Sequence, residues 1–460
     1  MKAFFEKLQR FQENREAHLS QARYLHHFLA ALGIFLLLQD LLALNLQNSG
    51  LLHSIVKYTD EAIPLFLFIL LVLSRIVQRR NIYRTPVDIP LIVFLLLAIV
   101  SSIVHQVGAF IIVSQFVIYI KGFMVFYLFY NLPLSRQMFH SYVKIFFVVG
   151  MIFLAFGFID LLFPAAFRRL TGNDMFVEYR FSIPSIKSLF IHPGVFAWFM
   201  SFLALFCFAF AMIRMKSFYL LAGLLFFMGC FFSMRARSLI GLFVGLLVSL
   251  FFITGKKRLV ILALLVPLLI FGIIFMGDAL LDLFQTKMNV YVSSEDYMKI
   301  ARNALYLKSF DVARDSFPLG AGMGRYGSHL SSIFYSPIYE KYGLSTIHGM
   351  TREKPNFITD TFWPMIVGET GYLGFALYLA ILAIFIKMLA NHIRNTHEPL
   401  LRAFHLGALM VVVKGIVESI ADPVFAAPPA AIFLFAVVGL SAVIYRQGTH
   451  EPGLRESGRK

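Results

Sequence analysis

Long apolar runs separated by short polar connectors set the rhythm of this chain. Twelve runs can be placed: Leu25–Leu46, Ala62–Gln78, Ile89–Gln106, Gly108–Tyr130, Phe139–Leu162, Leu189–Ile213, Phe218–Phe232, Leu239–Thr254, Leu259–Met276, Phe362–Met388, Phe404–Ala421 and Ala430–Tyr445. Most are long enough, at 1.5 Å per residue, to cross ~30 Å of hydrocarbon as helices. The pattern predicts an all-α polytopic membrane protein of about twelve spans. Residues 1–24 are polar and charged, with no short apolar core ending at a small-residue cleavage site, so they do not read as a cleaved signal peptide. The organisation that follows is an N-terminal segment 1–24, helices 1–9 over 25–276 with a loop at 163–188, a long segment 277–361, helices 10–12 over 362–445, and a tail 446–460.

Where polar residues interrupt the pattern, chemistry becomes possible. The stretch SMRARS places Arg235 and Arg237 between two short apolar runs. They read equally as anchors reaching to the membrane surface and as phosphate ligands. The segment Gly277–Thr361 is too long for a plain connector, so it is expected to carry structure of its own. Within it, Ser294–Ser309 shows an i, i+3, i+4 stripe through Tyr297, Ile300, Ala301, Ala304 and Leu305, which predicts an amphipathic helix. The following PLGAGMGRYG matches G-x-G-x-x-G by letter, yet no strand precedes it, so a dinucleotide site is not supported. A tight glycine-dependent turn presenting Arg325 is the reading, its amides being a lesser candidate for phosphate. Lys121, and Lys414 with Glu418 at i, i+4, lie at membrane depth, where charges face the bundle interior and pair. Asp40 and Asp160, near helix ends, are expected to be solvated.

Composition sharpens the class. The chain has 460 residues, of which 59% are hydrophobic, and its mean hydropathy is +0.76, which excludes a single soluble core. Its net charge of +16 is spread over connectors and forms no aromatic-interleaved soluble domain, so anionic lipid or an anionic substrate is implied and nucleic acid is not. Placing both termini in the cytoplasm gives Lys- and Arg-rich inner connectors at Arg75, Arg79 and Arg80, at Arg214 and Lys216, at Lys256 to Arg258, and at Lys387, Arg394 and Arg402. SMRARS, 163–188 and 277–361 then face outward. The only cysteines, Cys207 and Cys230, sit inside apolar runs and read as packing residues, with no disulfide framework or metal site.

Four stretches together resemble the O-antigen ligase and polymerase family of membrane glycosyltransferases. FFSMRARSLIGLFVGLL looks like the family's Ser-x-Ser-Arg-Gly helix start, FPLGAGMGRYG like its Pro-Leu-Gly-x-Gly turn, and DTFWPMIVGETGYLGF like its His-Asn-x-Tyr-Leu…Glu-x-Gly-x-x-Gly stretch; Arg180 with SLFIHPGVFAWF resembles the opening of the span after the first outer loop. The resemblance covers about Arg180 to Leu382. It implies a bacterial cytoplasmic-membrane enzyme whose site faces the periplasm. Such an enzyme would transfer glycan from a polyprenyl diphosphate carrier, such as undecaprenyl diphosphate, to a glycan or lipid-linked acceptor, in the company of flippase and chain-length regulator proteins. Arginines at positions like Arg180, Arg235 and Arg237 would hold the diphosphate, with Arg325 as a further candidate. Counting back from Glu369, the family's His position falls on Asp360 and its Asn position on Thr361; the nearest histidine, His348, lies 12 residues before Asp360. That departure favours a repeat-unit polymerase over a lipid A-core ligase of lipopolysaccharide.

The residue types suit that chemistry. A departing diphosphate needs fixed cations, and the planar arginine fork supplies them. The chain has no Asp-x-Asp metal motif, so neither metal nor cofactor is invoked. A carboxylate could take the acceptor's proton, with Asp360 the first choice and His348 the second. A lipid-linked glycan transporter and a non-catalytic scaffold are the competing classes. The charges gather on one face rather than around a midplane site between repeats, which disfavours the transporter.

Overall fold

The computed structural model describes residues 2–79, 81–173, 177–180, 183–255, 258–259, 262, 265–266 and 300–450, with the side chains of 2–23, Arg180 and 448–450 left aside. The run Leu259–Met276 lies almost wholly outside the described residues, as do 277–299 and 451–460. The first half of the chain forms helices α1 (Lys2–Asn45), α2 (Gly50–Lys57), α3 (Thr59–Val77), α4 (Asp88–Val104), α5 (Ala109–Asn131), α6 (Arg136–Leu162) and α7 (Pro164–Leu170). A two-stranded antiparallel hairpin, β1 (Tyr179–Arg180) and β2 (Ile183–Pro184), precedes α8 (Pro193–Arg214), α9 (Ser217–Phe232) and α10 (Ala236–Ser249). The rest comprises α11 (Ala301–Asp315), the short α12 (His329–Ile333) and α13 (Ile338–Lys341), then α14 (Trp363–Asn395), α15 (Pro399–Glu418) and α16 (Ala430–His450). The fold is all-α. Among the described residues seven helices are long and apolar enough to cross a membrane: the Tyr24–Asn45 part of α1, then α5, α6, α8, α14, α15 and the Ala430–Gln447 part of α16. The apolar helices α4, α9 and α10 are shorter.

Helix limits follow local chemistry. Ser135 caps α6 by accepting from the Met138 amide at 3.2 Å, and Pro193 stands at the start of α8, where its missing N–H costs nothing. Packing of α8 on α9 and α15, of α10 on α15 and of α5 on α16 builds one large apolar core.

Helix ends sort onto two ends of this bundle. At one end, the segment 300–361 forms a cap with a small core of its own around Leu305, Val312, Tyr326, Tyr339, Leu344 and Ile358. The predicted amphipathic helix is found, but it runs over Ala301–Asp315; residues 294–299 of the expected span lie outside the described residues. Tyr306 in α11 donates to the Ile420 carbonyl at 2.9 Å, which ties the cap to the link between α15 and α16. Residues 163–173, 183–192 and 233–235 lie at the same end, where Ser185 Oγ donates to the Ser233 carbonyl at 2.6 Å. Asp160 is a correction. It is buried rather than solvated, because it accepts from Arg168 Nε at 2.8 Å and from the Lys187 and Ser188 amides at 2.8 and 3.2 Å. Asp40 is half-buried.

Candidate functional site

The two arginines of SMRARS begin α10. Met234 adopts φ 54°, a left-handed turn that ends the α9–α10 connection, and Arg235 follows as the residue before the helix. Their guanidinium groups do not reach out as surface anchors. Arg235 ion-pairs with Glu178, whose chain segment enters the β1–β2 hairpin. Arg237 donates from Nη1 to the Ala421 carbonyl at 2.7 Å and from Nη2 to Asp422 Oδ2 at 3.0 Å. His192, the cap of α8, accepts from the Gly194 amide through Nδ1 at 3.0 Å. Burial, reinforced by the charges of Arg235 and Arg237, pushes His192 down to about 4, so its ring is neutral at physiological pH. Gly194 is small for a reason: a Cβ there would stand 2.3 Å from Arg237 Nη2.

Asp360 joins this cluster from the cap. Its Oδ2 meets Arg302 Nη2 at 3.4 Å, and burial raises its carboxyl above the ordinary range, with Arg302 and Arg237 opposing. Asp422 is pushed up to about 6, mainly by burial against the pull of Arg237, with Glu418 and Asp360 adding to the rise. Asp360 is not a helix cap, because α14 starts at Trp363 with no side-chain capping bond. Directly beneath lies the expected Lys414–Glu418 pair, 2.5 Å apart and buried, with Lys414 Nζ 5.6 Å from the Trp198 ring centroid. Gly241 lets α10 pass over this pair, since a Cβ there would stand 3.0 Å from both Lys414 Cγ and Glu418 Cγ.

Other predicted site residues lie elsewhere. His348 is exposed and packs edge-on against Phe357, with centroids 6.0 Å apart. Arg180 lies in β1 by its backbone, its side chain outside the described residues. Arg325 sits in the predicted glycine turn, where Gly322, Gly324 and Gly327 take φ of 95°, 72° and 65°. That turn is buried against α4, α5 and α14. The Ala321 and Gly322 amides donate to the Gly368 and Glu369 carbonyls at 2.8 and 3.1 Å, Met323 to Ser102 Oγ at 2.9 Å, Tyr326 to Glu369 Oε1 at 3.2 Å, and Gly327 to Tyr339 Oη at 2.8 Å. These amides are spent on protein acceptors, which corrects their candidacy for phosphate.

Glu369 explains two sequence motifs at once. It is fully buried, takes Tyr119 Oη at 2.6 Å as well as the Tyr326 amide, and sits two residues before Gly371, whose φ of 70° kinks α14. A Cβ on Gly371 would stand 2.7 Å from the Leu319 carbonyl carbon, so the kink is where the glycine turn docks. GETG and PLGAGMGRYG are therefore one structural lock. A second buried cluster joins Lys121 to Asp60 at 2.8 Å and Glu61 at 3.0 Å, with Gln39 Nε2 donating to Asp60 at 2.9 Å.

Sequence reasoning missed His192, Glu178, Arg302 and Asp422. Only His192 carried a signal, standing next to a proline at a span start within SLFIHPGVF. No group of three His, Cys, Asp or Glu that could hold a metal occurs among the described residues. What the cluster offers is cations for an anion beside carboxylates for a proton, and no family model and no curated protein matches the chain.

Proposed function

We propose that the protein is a membrane glycosyltransferase that uses a polyprenyl-diphosphate-linked glycan as donor and extends repeat units of O-antigen or exopolysaccharide at the outer face of a bacterial cytoplasmic membrane. In this reading the chain crosses the membrane about twelve times, both termini are cytoplasmic, and the cap of residues 300–361 faces the periplasm. The alternation of helix ends between the capped end and the opposite end supports it, as does the excess of Lys and Arg in connectors at the opposite end.

The observation that carries the proposal is the gathering at the capped end of Arg235 on Glu178, Arg237 on Asp422 and neutral His192, with Arg237 within electrostatic reach of Asp360. The acceptor oxygen attacks the anomeric carbon as the bond from that carbon to the diphosphate oxygen breaks. Arg235 and Arg237 neutralise the departing diphosphate, with Arg180 on the adjoining hairpin as a further cation. Both described arginines are already held by carboxylates, so a diphosphate binds by exchanging with Glu178 and Asp422. Asp360 takes the acceptor's proton; its raised affinity for a proton brings it nearer the working pH. His348 is the weaker base candidate because it stands exposed on Phe357. Attack opposite the leaving group inverts the anomeric centre.

A glycan profile of a strain lacking the protein tests the assignment. Single capped repeats support the polymerase, intact long polymer absent from lipid A-core indicates the ligase, and an unchanged profile refutes both. A transporter is the second reading, favoured by the buried Lys121–Asp60–Glu61 cluster away from the arginines.

A further inference from the structure

A cavity of about 430 Å³ opens between α1, α3, α5, α6, α8, α9, α15 and α16, within the ~300–1,000 Å³ range of pockets that hold small ligands. Its wall is apolar, with Leu36, Leu67, Phe129, Phe202, Phe206 and Phe433 facing inward. It lies away from the arginine cluster. Arg214, which lines it, ends α8, whereas His192 caps the start of that 22-residue helix, so about 30 Å of helix separates the two.

The charged residues at its rim are all basic. Lys144 and Arg214 line the cavity, and no acidic residue does. Phe147, one turn after Lys144, packs on Phe218 with ring centroids 5.5 Å apart, which brings Lys144 beside the α8–α9 connection where Arg214 stands. Neither Lys144 nor Arg214 has an ion-pair or hydrogen-bond partner among the described residues. His140, also at the rim, spends Nδ1 on the Arg136 carbonyl at 2.7 Å. An apolar chamber closed at one end by two uncompensated cations is complementary to a molecule with a hydrocarbon chain and an anionic head.

We infer that this cavity binds one acyl chain of an anionic membrane phospholipid, whose headgroup phosphate is held by Lys144 and Arg214. Phospholipid is the occupant because the cations stand at the end opposite the site assigned to the diphosphate donor. The choice of phospholipid over the diphosphate donor rests on the glycosyltransferase reading, whereas the apolar chamber and its two cations stand without it.

The test uses purified full-length protein, stripped of lipid and then offered phosphatidylglycerol or phosphatidylcholine with the same acyl chains, retained lipid being counted by native mass spectrometry. One phosphatidylglycerol is expected to be retained, at least about tenfold more tightly than phosphatidylcholine. The double variant Lys144→Gln, Arg214→Gln is expected to bind it about thirtyfold more weakly, from two lost charge contacts. Ala436→Phe, which fills the chamber from α16, should abolish retention of either lipid while leaving both cations in place. Equal retention of the two lipids by the unaltered protein overturns the inference, and so does folded protein that retains no lipid. Undiminished binding in the folded double variant, or in Ala436→Phe, overturns it as well.

Discussion

Gly194→Ala is the most informative single perturbation of the arginine cluster, because it alters no charge and removes no hydrogen-bonding group. The added methyl would stand 2.3 Å from Arg237 Nη2, and ordinary contact begins at 3.4 Å, so the guanidinium has to retreat by about 1.1 Å. The same methyl would lie 2.8 Å from His192 Nδ1. Arg237 is the far end of a flexible side chain, so the movement is cheap for folding. Its contacts to Ala421 and Asp422 weaken, at ~0.5–1.5 kcal/mol for a typical hydrogen bond. Alanine returns up to ~1 kcal/mol of helix propensity in the first turn of α8. The net change in stability is therefore expected within about 1 kcal/mol. Catalysis is more sensitive: misplacing a catalytic group by ~1 Å can cost about 10²-fold in rate. The assay is glycan extension from a polyprenyl diphosphate donor by protein in vesicles, alongside thermal unfolding read by a thiol-reactive dye, since both cysteines are buried. A stable Gly194→Ala protein with full activity would refute the role given to Arg237.

Asp360→Asn is expected to lose roughly 10² to 10⁴ in rate while folding normally, whereas His348→Ala stays near wild type. Because burial raises Asp360 and the ionised form is the base, the wild-type rate should climb with pH and level off above the ordinary carboxylate range, a profile the Asn variant should lack. Glu369→Ala leaves the Tyr119 hydroxyl and the Tyr326 amide buried without their acceptor, and at ~1–3 kcal/mol for each it should lower the unfolding temperature far more than Glu369→Gln. Asp60→Ala combined with Glu61→Ala strands the buried Lys121 ammonium and should cost about 3–5 kcal/mol, seen in the same unfolding assay.

The membrane helices were legible because hydrocarbon imposes one simple requirement on every residue of a span. The predicted run Phe218–Phe232 differs from α9 by one residue at its start, and Gly108–Tyr130 from α5 by one at each end. The Lys414–Glu418 pair could be read because both partners share one helix face. Partners from distant segments could not. Asp160 looked solvated until α7 and the chain after β2 wrapped Arg168 and two amides around it. Asp422 bears on Arg237 only because α10 packs on α15, and Glu369 gains its meaning only once the glycine turn docks at the α14 kink. The candidate site was half visible. SMRARS announced unusual arginines, but the carboxylates that hold them, Glu178 and Asp422, come from two other parts of the chain.

The central claim is tested most directly by giving purified protein, in vesicles free of other proteins, a polyprenyl-diphosphate-linked repeat unit, and following both the length of the glycan and its side of the bilayer. Longer glycan and released polyprenyl diphosphate are expected on the capped face, both lost in Arg235→Ala and Arg237→Ala. Movement of the lipid-linked glycan across the bilayer with no new glycosidic bond would contradict it.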